Sequence, residues 1–243
     1  MSKSVMRSSH EGVATASLSN YLFMELLEEA GLPPGVINFV LLIAALSAMN
    51  SQLYITTRMM FSLSRAGYAP KSMGALSKSG IPLNALLLGC AFLGVGLLDF
   101  SHMLPYSGMP DFITPNTSEK AIHYWLSARL LSALALLAVA WLPWGSTATR
   151  SQATLMTAAV LVLVAALHGL FFLAPHLLPL TFVPGGGLTA FKIAFEYTLM
   201  ALYLAAAARL LWHMRRQRSF NASGLFAAAC VMAQSEFFFT RYT

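Results

Sequence analysis

The sequence predicts an all-α integral membrane protein, with about six transmembrane helices packed in a bundle. Three observations predict this fold class: 57% of the 243 residues are hydrophobic, only 10% are charged, and the mean hydropathy is +0.66. A soluble domain carries about 25% charged residues. Since one crossing takes about 20 apolar residues, a chain of this length holds roughly five to seven helices and no soluble catalytic domain of normal size.

Six apolar stretches of crossing length follow one another along the chain. The first contains no charged residue and follows two prolines, which suit a helix start because a missing N–H group costs least there. Ahead of it, residues 1–34 form a polar segment in which residues 21–30 mix apolar side chains with three glutamates, a pattern that favours a short interfacial helix. The predicted crossings are residues 35–57, 81–98, 121–144, 154–173, 188–212 and 222–243.

The Lys and Arg residues divide the loops into two sets. Cytoplasmic loops of membrane proteins are richer in these residues than outside loops. The loops after the first, third and fifth crossings contain Arg58, Arg65, Lys71, Lys78, Arg150, Arg209, Arg215, Arg216 and Arg218. The loop after the second crossing contains Lys120 alone, and residues 174–187 contain neither type. We therefore expect both termini outside a bacterial inner membrane, and the net charge of +6 indicates topology rather than a nucleic-acid partner.

Residues 37–87 contain a specific pattern of polar residues, glycines and prolines. The segment reads INFVLLIAALSAMNSQLYITTRMMFSLSRAGYAPKSMGALSKSGIPLNALL. It resembles the eighth transmembrane helix, the following loop and the start of the ninth helix of the amino acid, polyamine and organocation permeases, and the likeness extends over about residues 22–87. The matching positions are Asn38, Ser47, Asn50, Ser51, Arg58, Gly67, Pro70, Lys71, Gly80 and Pro82.

The permease resemblance implies a transport pathway lined by polar side chains of the first crossing. The candidates are Asn38, Ser47, Asn50, Ser51 and Gln52. Such side chains also stabilise helix packing by hydrogen bonding between helices, which is the commoner reason for them. Permeases of this fold bind substrate at two broken helices related by an inverted repeat. The 34 residues upstream contain no counterpart of such a break, so transport is the alternative function and not the first.

From about residue 86 to residue 243 the chain resembles a different family. Four motifs appear in order: LLLGCAFLGVGLLDFSHMLPYSGMPDF, ARLLSALALLA, PGGGLTAFKIAFEY and QSEFFFTRYT. They are similar to the bacterial membrane-associated sensor domain of the third class, which usually precedes histidine kinase or diguanylate cyclase domains. The resemblance implies a signal-input domain, truncated at both ends and lacking its cytoplasmic output domain. We therefore expect a permease-like fragment at 35–87 joined to a sensor-like domain at 88–243.

Asp99 and His102 lie three residues apart where the second predicted crossing ends. On a helix this spacing places them on one face, where a carboxylate can orient an imidazole. They are weak candidates for sharing a proton or holding a metal, and the alternative is a pair that caps a helix end. His123, His168 and His176 form no recognised ligand spacing. The sequence therefore predicts no cofactor and no resident metal.

Other charged residues inside crossings are costly in lipid and are functional candidates by default. Lys192 and Glu196 are four residues apart and can form an ion pair along one helix. Within the sensor resemblance they share a motif with Tyr197. Glu236 lies midway along the last predicted crossing and Arg129 lies on the third, so we expect Arg129 to pair with Glu236 or Glu196. The alternative is that these residues line a pocket for a small molecule that enters from outside.

The partners that the sequence predicts follow from this organisation. The lipid bilayer surrounds the helices, and a small-molecule ligand, a second copy of the chain or a full-length sensor are further candidate partners. Cys90 and Cys230 both lie in apolar runs, which indicates packing rather than a disulfide or zinc site. The sequence contains no nucleophile elbow, phosphate-binding loop or metalloprotease helix, so we predict that the chain is not an enzyme.

Overall fold

The computed structural model describes residues 34–105, 111, 113–141, 148–183, 186–216 and 221–240. The chain divides into two compact units, residues 1–48 and residues 49–243. In the first unit the described part is helical from residue 34 to residue 48. The interfacial helix predicted at residues 21–30 lies outside the described residues.

Six α-helices form the described part of the chain, one at each place where the sequence predicts a crossing. Their bounds are α1 Pro34–Arg65, α2 Leu83–Met103, α3 Ser118–Trp141, α4 Arg150–Leu173, α5 Ala190–Arg216 and α6 Ser223–Phe239. The connections contain two short 3₁₀ helices, Lys71–Gly74 and Pro175–Leu177, and two strands, β1 Phe182–Val183 and β2 Gly187–Leu188. The strands pair antiparallel with Phe182 opposite Leu188. The prediction of an all-α bundle is confirmed, with this small hairpin as the addition.

The lengths of the helices fit a protein that crosses the membrane several times. Helices α2, α3, α4 and α5 are each long and apolar enough to span a bilayer, and α6 is a shorter apolar helix of 17 residues. Helix α1 has 32 residues, which at 1.5 Å per residue gives a length of about 48 Å. The chain is therefore a multi-pass membrane protein.

Two of the helix ends that differ from the prediction change the position of a candidate residue. Helix α2 continues to Met103, so Asp99 and His102 lie within its last turns and do not cap its end. The polar side chains of these last turns have partners: Ser101 Oγ donates to Leu97 O of its own helix at 2.9 Å, and the His102 ring bonds Ala121 O of α3 at 2.8 Å. Helix α6 ends at Phe239, so Glu236 lies in its last turn and not midway along the crossing.

Helix α3 is the centre of the bundle. It packs against α2 on one side and α5 on the other, while α4 packs on α2 and α6 packs on α5. One core joins α2, α3 and α4 through Leu98, Tyr124 and Val164. A second core joins α3, α5 and α6 through Leu126, Leu199 and Ala233. Both cores converge on α3, which therefore connects the two halves of the bundle.

The loops meet at two ends, as the distribution of Lys and Arg predicts. At one end Asn221 N, before α6, donates to Gly67 O, after α1, at 2.7 Å. At the same end Ala148 N, before α4, donates to the side chain of Asn84 at the start of α2. At the other end Thr181, between α4 and α5, donates to Glu119 at the start of α3. These bonds place the described residues of the two predicted sets of loops at opposite ends of the bundle, and which end faces the cytoplasm stays a prediction.

The last turns of α1 pack against the helices that follow. Met60 contributes to a core with Ala85 of α2 and Val139 of α3, and Leu63 and Leu225 cover it. The permease-like segment beyond residue 49 is therefore joined to the bundle by apolar packing.

The close approach of α2 to its neighbours at Gly94 gives a test of this packing. A Cβ at Gly94 would lie 2.5 Å from Val160 Cγ1 and 2.9 Å from Leu131 Cδ2, whereas a Cβ at Gly96 would meet nothing within 4 Å. Val160 is β-branched and cannot easily turn away in a helix. We expect Gly94→Ala to lower the free energy of unfolding by about 1 to 3 kcal/mol.

The matched control is Gly96→Ala, two residues away on the same helix. Thermal unfolding in detergent micelles should show a lower midpoint for Gly94→Ala and no loss for Gly96→Ala. Equal midpoints for the two variants would contradict the described packing of α2 against α3 and α4.

Candidate functional site

Four helices bring ionisable side chains together in the half of the bundle that the sequence predicts to face the outside. They form a group that we name the buried polar cluster: Asp99 on α2, Arg129 on α3, Lys192, Glu196 and Tyr203 on α5, and Glu236 on α6. Charged groups inside a membrane domain are costly unless they interact with one another. Here each of them acts electrostatically on at least one other member.

Lys192 and Glu196 form the ion pair that their spacing predicts. Lys192 Nζ contacts Glu196 Oε1, and the two residues are only 6% and 0% exposed. They lie one turn apart on α5, so pairing needs no adjustment between helices. The Lys192 ammonium also lies 5.2 Å from the centre of the Trp125 ring, a distance at which the aromatic face attracts a cation.

Glu236 is fully buried, and neither of its carboxyl oxygens has a hydrogen-bond partner in the described part of the chain. The charges of Arg129, Glu196 and Lys192 all act on it. Glu196 Oε2 likewise has no hydrogen-bond partner among the described residues. The carboxyl group of Glu236 is therefore held beside charges without being tied to any of them by a direct bond.

The predicted pairing of Arg129 with Glu236 or Glu196 is wrong as a direct contact. Within the described residues, Arg129 forms no ion pair, and its Nε is buried without a hydrogen-bond partner. Its guanidinium lies 5.5 Å from the centre of the Trp125 ring, one turn away on α3. Lys192 already pairs with Glu196, and the Trp125 ring attracts the Arg129 guanidinium. Arg129 therefore interacts with Glu236 and Asp99 as a nearby charge and not through a direct bond.

Tyr203 belongs to the cluster although the sequence did not single it out. Its side chain is fully buried, and its hydroxyl donates to the backbone oxygen of Arg129 at 3.2 Å. The charges of Glu236, Arg129 and Asp99 act on the hydroxyl as well. Tyr203 therefore ties α5 to α3 at the inner end of the cluster.

Other predicted residues lie apart from the cluster. Tyr197 is 42% exposed on α5. His102 bonds a backbone oxygen of α3, and only its charge reaches Asp99. His168, one of the weaker candidates, bonds Ser101 Oγ at 2.8 Å. Within the described residues, no three His, Cys, Asp or Glu side chains are grouped as metal ligands would be.

The polar residues proposed for a transport pathway lie on α1. Ser47, Asn50 and Ser51 are exposed there. The side chains of Asn38 and Gln52 lie outside the described residues. These positions remain candidates from the permease resemblance alone.

Glu119, which sequence analysis missed, holds the segment between α4 and α5 to the bundle. Its carboxylate accepts hydrogen bonds from Thr181 N at 3.0 Å, Thr181 Oγ1 at 2.8 Å and Phe182 N at 2.7 Å. An acid in the first turn of a helix is visible in the sequence, but its partners lie 62 and 63 residues further on. The hairpin of β1 and β2 is therefore anchored at the start of α3.

We expect Glu119→Ala to loosen this loop without unfolding the bundle. Thr181 is fully buried, so removing the carboxylate leaves backbone and hydroxyl donors without their acceptor, at a cost of about 1 to 3 kcal/mol. Hydrogen exchange at the amides of Thr181 and Phe182 should become about tenfold or more faster, since 1.4 kcal/mol corresponds to a factor of ten. Asp111→Asn, at an exposed position between α2 and α3, is the control. Unchanged exchange in Glu119→Ala would contradict the anchoring role.

The fold and the buried polar cluster define a class of protein, a multi-pass helical membrane protein with interacting charges inside its bundle. The sequence pattern of the membrane-associated sensor domain designated MASE3 matches residues 78–243. Since this is more than half of the chain, the protein belongs to that family. The match begins somewhat before residue 86, where the sequence resemblance was placed, and the domain boundary at 87–88 stays a prediction.

Several curated relatives are permeases, and each of them matches only part of the chain. Amino-acid permease RocC of Bacillus subtilis is 41% identical over 86 residues, which is 35% of this chain and 18% of the permease. L-asparagine permease of Streptomyces coelicolor is 44% identical over 79 residues, which is 31% of this chain and 16% of the permease. The D-serine/D-alanine/glycine transporter of Escherichia coli K12 is 42% identical over 78 residues, which is 31% of this chain and 17% of the transporter.

The chain thus spans less than a fifth of the length of these permeases, which agrees with a permease-like fragment. No solved structure matches the chain. The sensor family and the permease relatives both point to a function other than catalysis.

Proposed function

We propose that the chain is a signal-input domain, and that the signal acts by changing the protonation of the buried polar cluster. The observation that carries this proposal is Glu236, a fully buried carboxyl group without a hydrogen-bond partner in the described part of the chain, beside both acids and bases.

A count of charges supports a proton-linked response. With Asp99, Glu196 and Glu236 ionised, the cluster has three negative charges against two positive ones from Arg129 and Lys192. An uncompensated charge is expensive in the membrane interior, and a proton removes it. Glu196 is paired with Lys192 and Asp99 is only partly buried, so Glu236 is the group that takes up the proton.

The groups that act on Glu236 come from each helix around it. Helix α5 contributes Lys192, Glu196 and Tyr203, and helix α3 contributes Arg129. Asp99 on α2 acts on Arg129, and His102 acts on Asp99. Loss or gain of the proton on Glu236 changes the attraction between α6 and both α3 and α5. A second copy of the chain or a full-length sensor would detect that change through helix contacts.

Trp125 offers a direct test, because both cations of the cluster lie over its ring. Replacing Trp141, Trp144 and Trp212 by Phe leaves Trp125 as the only tryptophan in the sequence. In proteoliposomes its emission should change as the outside pH is lowered, and the same change should be absent in Glu236→Gln. Emission that does not respond to pH, or that responds equally in Glu236→Gln, would overturn the proposal.

Transport by a permease-like mechanism is the alternative, and the partial likeness to amino acid permeases is the observation that favours it. Such permeases bind substrate at interrupted helices. In the described residues each of the six helices runs without a break between its bounds, which favours the sensor function. Uptake of radiolabelled L-asparagine into proteoliposomes should not exceed uptake into empty liposomes. Uptake above that background would favour transport.

A further inference from the structure

At the opposite end of the bundle, Arg209 of α5 lies among tryptophan rings. Its guanidinium carbon is 4.6 Å from the centre of the Trp212 ring and 5.7 Å from the centre of the Trp141 ring, at the end of α3. Arg216 lies over Trp212 as well, at 5.6 Å. Both tryptophans are exposed in this chain, at 39% and 52%. A cation held against aromatic faces keeps its N–H groups available for an acceptor.

No carboxylate serves as that acceptor in the described part of the chain. Arg209 forms no ion pair among the described residues, and its Nε is buried without a hydrogen-bond partner there. From residue 34 onwards the only acidic residues are Asp99, Asp111, Glu119, Glu196 and Glu236. The four that lie on helices sit near the ends that the topology places outside. Within the described residues, no acidic side chain therefore lies at the end of the bundle where Arg209 lies, and its guanidinium is available to an anion.

The position of Arg209 along α5 places it at a membrane surface. It lies 19 residues after Ala190, which corresponds to about 29 Å at 1.5 Å per residue. This distance equals the thickness of the hydrocarbon core, about 30 Å. If the outer end of α5 lies at one surface, Arg209 lies at the level of the lipid headgroups of the cytoplasmic leaflet, where Trp rings are also enriched.

We propose that Arg209, Trp141 and Trp212 form a binding site for the phosphate group of an anionic lipid in the cytoplasmic leaflet. The planar guanidinium can donate two parallel hydrogen bonds to phosphate oxygens, and Arg216 adds a second positive charge. The exposed parts of the two tryptophan side chains offer apolar surface to the glycerol and acyl chains of the lipid, which a free phosphate ion would not use. Lipid is therefore the ligand that fits both parts of the site.

The test is native mass spectrometry of the full chain released from mixed phosphatidylglycerol and phosphatidylcholine. The wild type should retain phosphatidylglycerol preferentially, and Arg209→Gln should retain it about fivefold less, as expected when one arginine contact with an anionic headgroup is lost. Arg150→Gln removes an exposed arginine at the same end of the bundle and should retain lipid as the wild type does. Arg209→Lys keeps the charge and the fold but loses the planar fork, and should give an intermediate result.

Two results would overturn the proposal. One is equal retention of phosphatidylglycerol by the wild type, Arg209→Gln and Arg209→Lys. The other is displacement of the lipid by inorganic phosphate alone, which would make the site one for a free anion. Neither result bears on the buried polar cluster, which lies near the other end of α5.

Discussion

Lys192→Met is expected to lower the free energy of unfolding by about 3 to 5 kcal/mol, the largest effect of any single substitution considered. The ammonium of Lys192 pairs with Glu196, which is fully buried. Removing the cation leaves the Glu196 carboxylate without its partner and adds to the excess of acids in the cluster. Equilibrium unfolding in mixed micelles of a mild detergent and sodium dodecyl sulfate measures the loss.

The double substitution Lys192→Met with Glu196→Leu is the critical comparison. Replacing both members of a buried pair by apolar groups is often close to neutral, so the double variant should recover most of the lost stability. Lys78→Met, at an exposed loop position, controls for the loss of one lysine and should leave stability within about 0.5 kcal/mol. A single variant as stable as this control would show that the pair contributes nothing.

Arg129→Leu is expected to cost about 3 kcal/mol, at the low end of the range for a buried charge that loses its counterion. Arg129 is the cation that acts on both Asp99 and Glu236. Its loss leaves three acids with one base, and protonation of the acids limits the penalty. The cost should therefore be smaller at acidic than at neutral pH, when both are measured by equilibrium unfolding.

A double-mutant cycle separates this electrostatic role from packing. If Arg129 and Glu236 interact, the combined variant Arg129→Leu with Glu236→Leu should be more stable than the sum of the two single changes predicts, by about 0.5 to 3 kcal/mol. Arg150→Leu, at the exposed start of α4, is the matched arginine control. Additive effects within about 0.3 kcal/mol would mean that Arg129 and Glu236 are not coupled.

The sequence predicts those features that depend on local patterns. The apolar stretches locate all six helices, because a crossing must be long and apolar wherever it occurs. The two sets of loops that the basic residues define also meet at separate ends, as the bonds of Asn221 to Gly67 and of Thr181 to Glu119 show. The pair of Lys192 and Glu196 follows from spacing alone, since both lie on one helix face.

Features that depend on which helices are neighbours are not predicted. Arg129 acts on Asp99 of α2 and Glu236 of α6 without forming an ion pair among the described residues, and this depends on how those helices pack around α3. Glu119 and Thr181 are 62 residues apart, so no local pattern connects them. The position of Glu236 in the last turn of α6 likewise depends on where that helix ends, and the predicted crossing of residues 222–243 placed that end four residues later.

The most direct test of the account is the protonation state of Glu236 in the membrane. Infrared difference spectra of the protein in lipid vesicles, recorded between acidic and alkaline buffers, detect the carbonyl stretch of a protonated carboxyl group. We predict a pH-dependent band in the wild type that is absent in Glu236→Gln and unchanged in the control Asp111→Asn. The same band in the wild type and in Glu236→Gln would show that Glu236 does not exchange a proton, and would contradict the role proposed for the buried polar cluster.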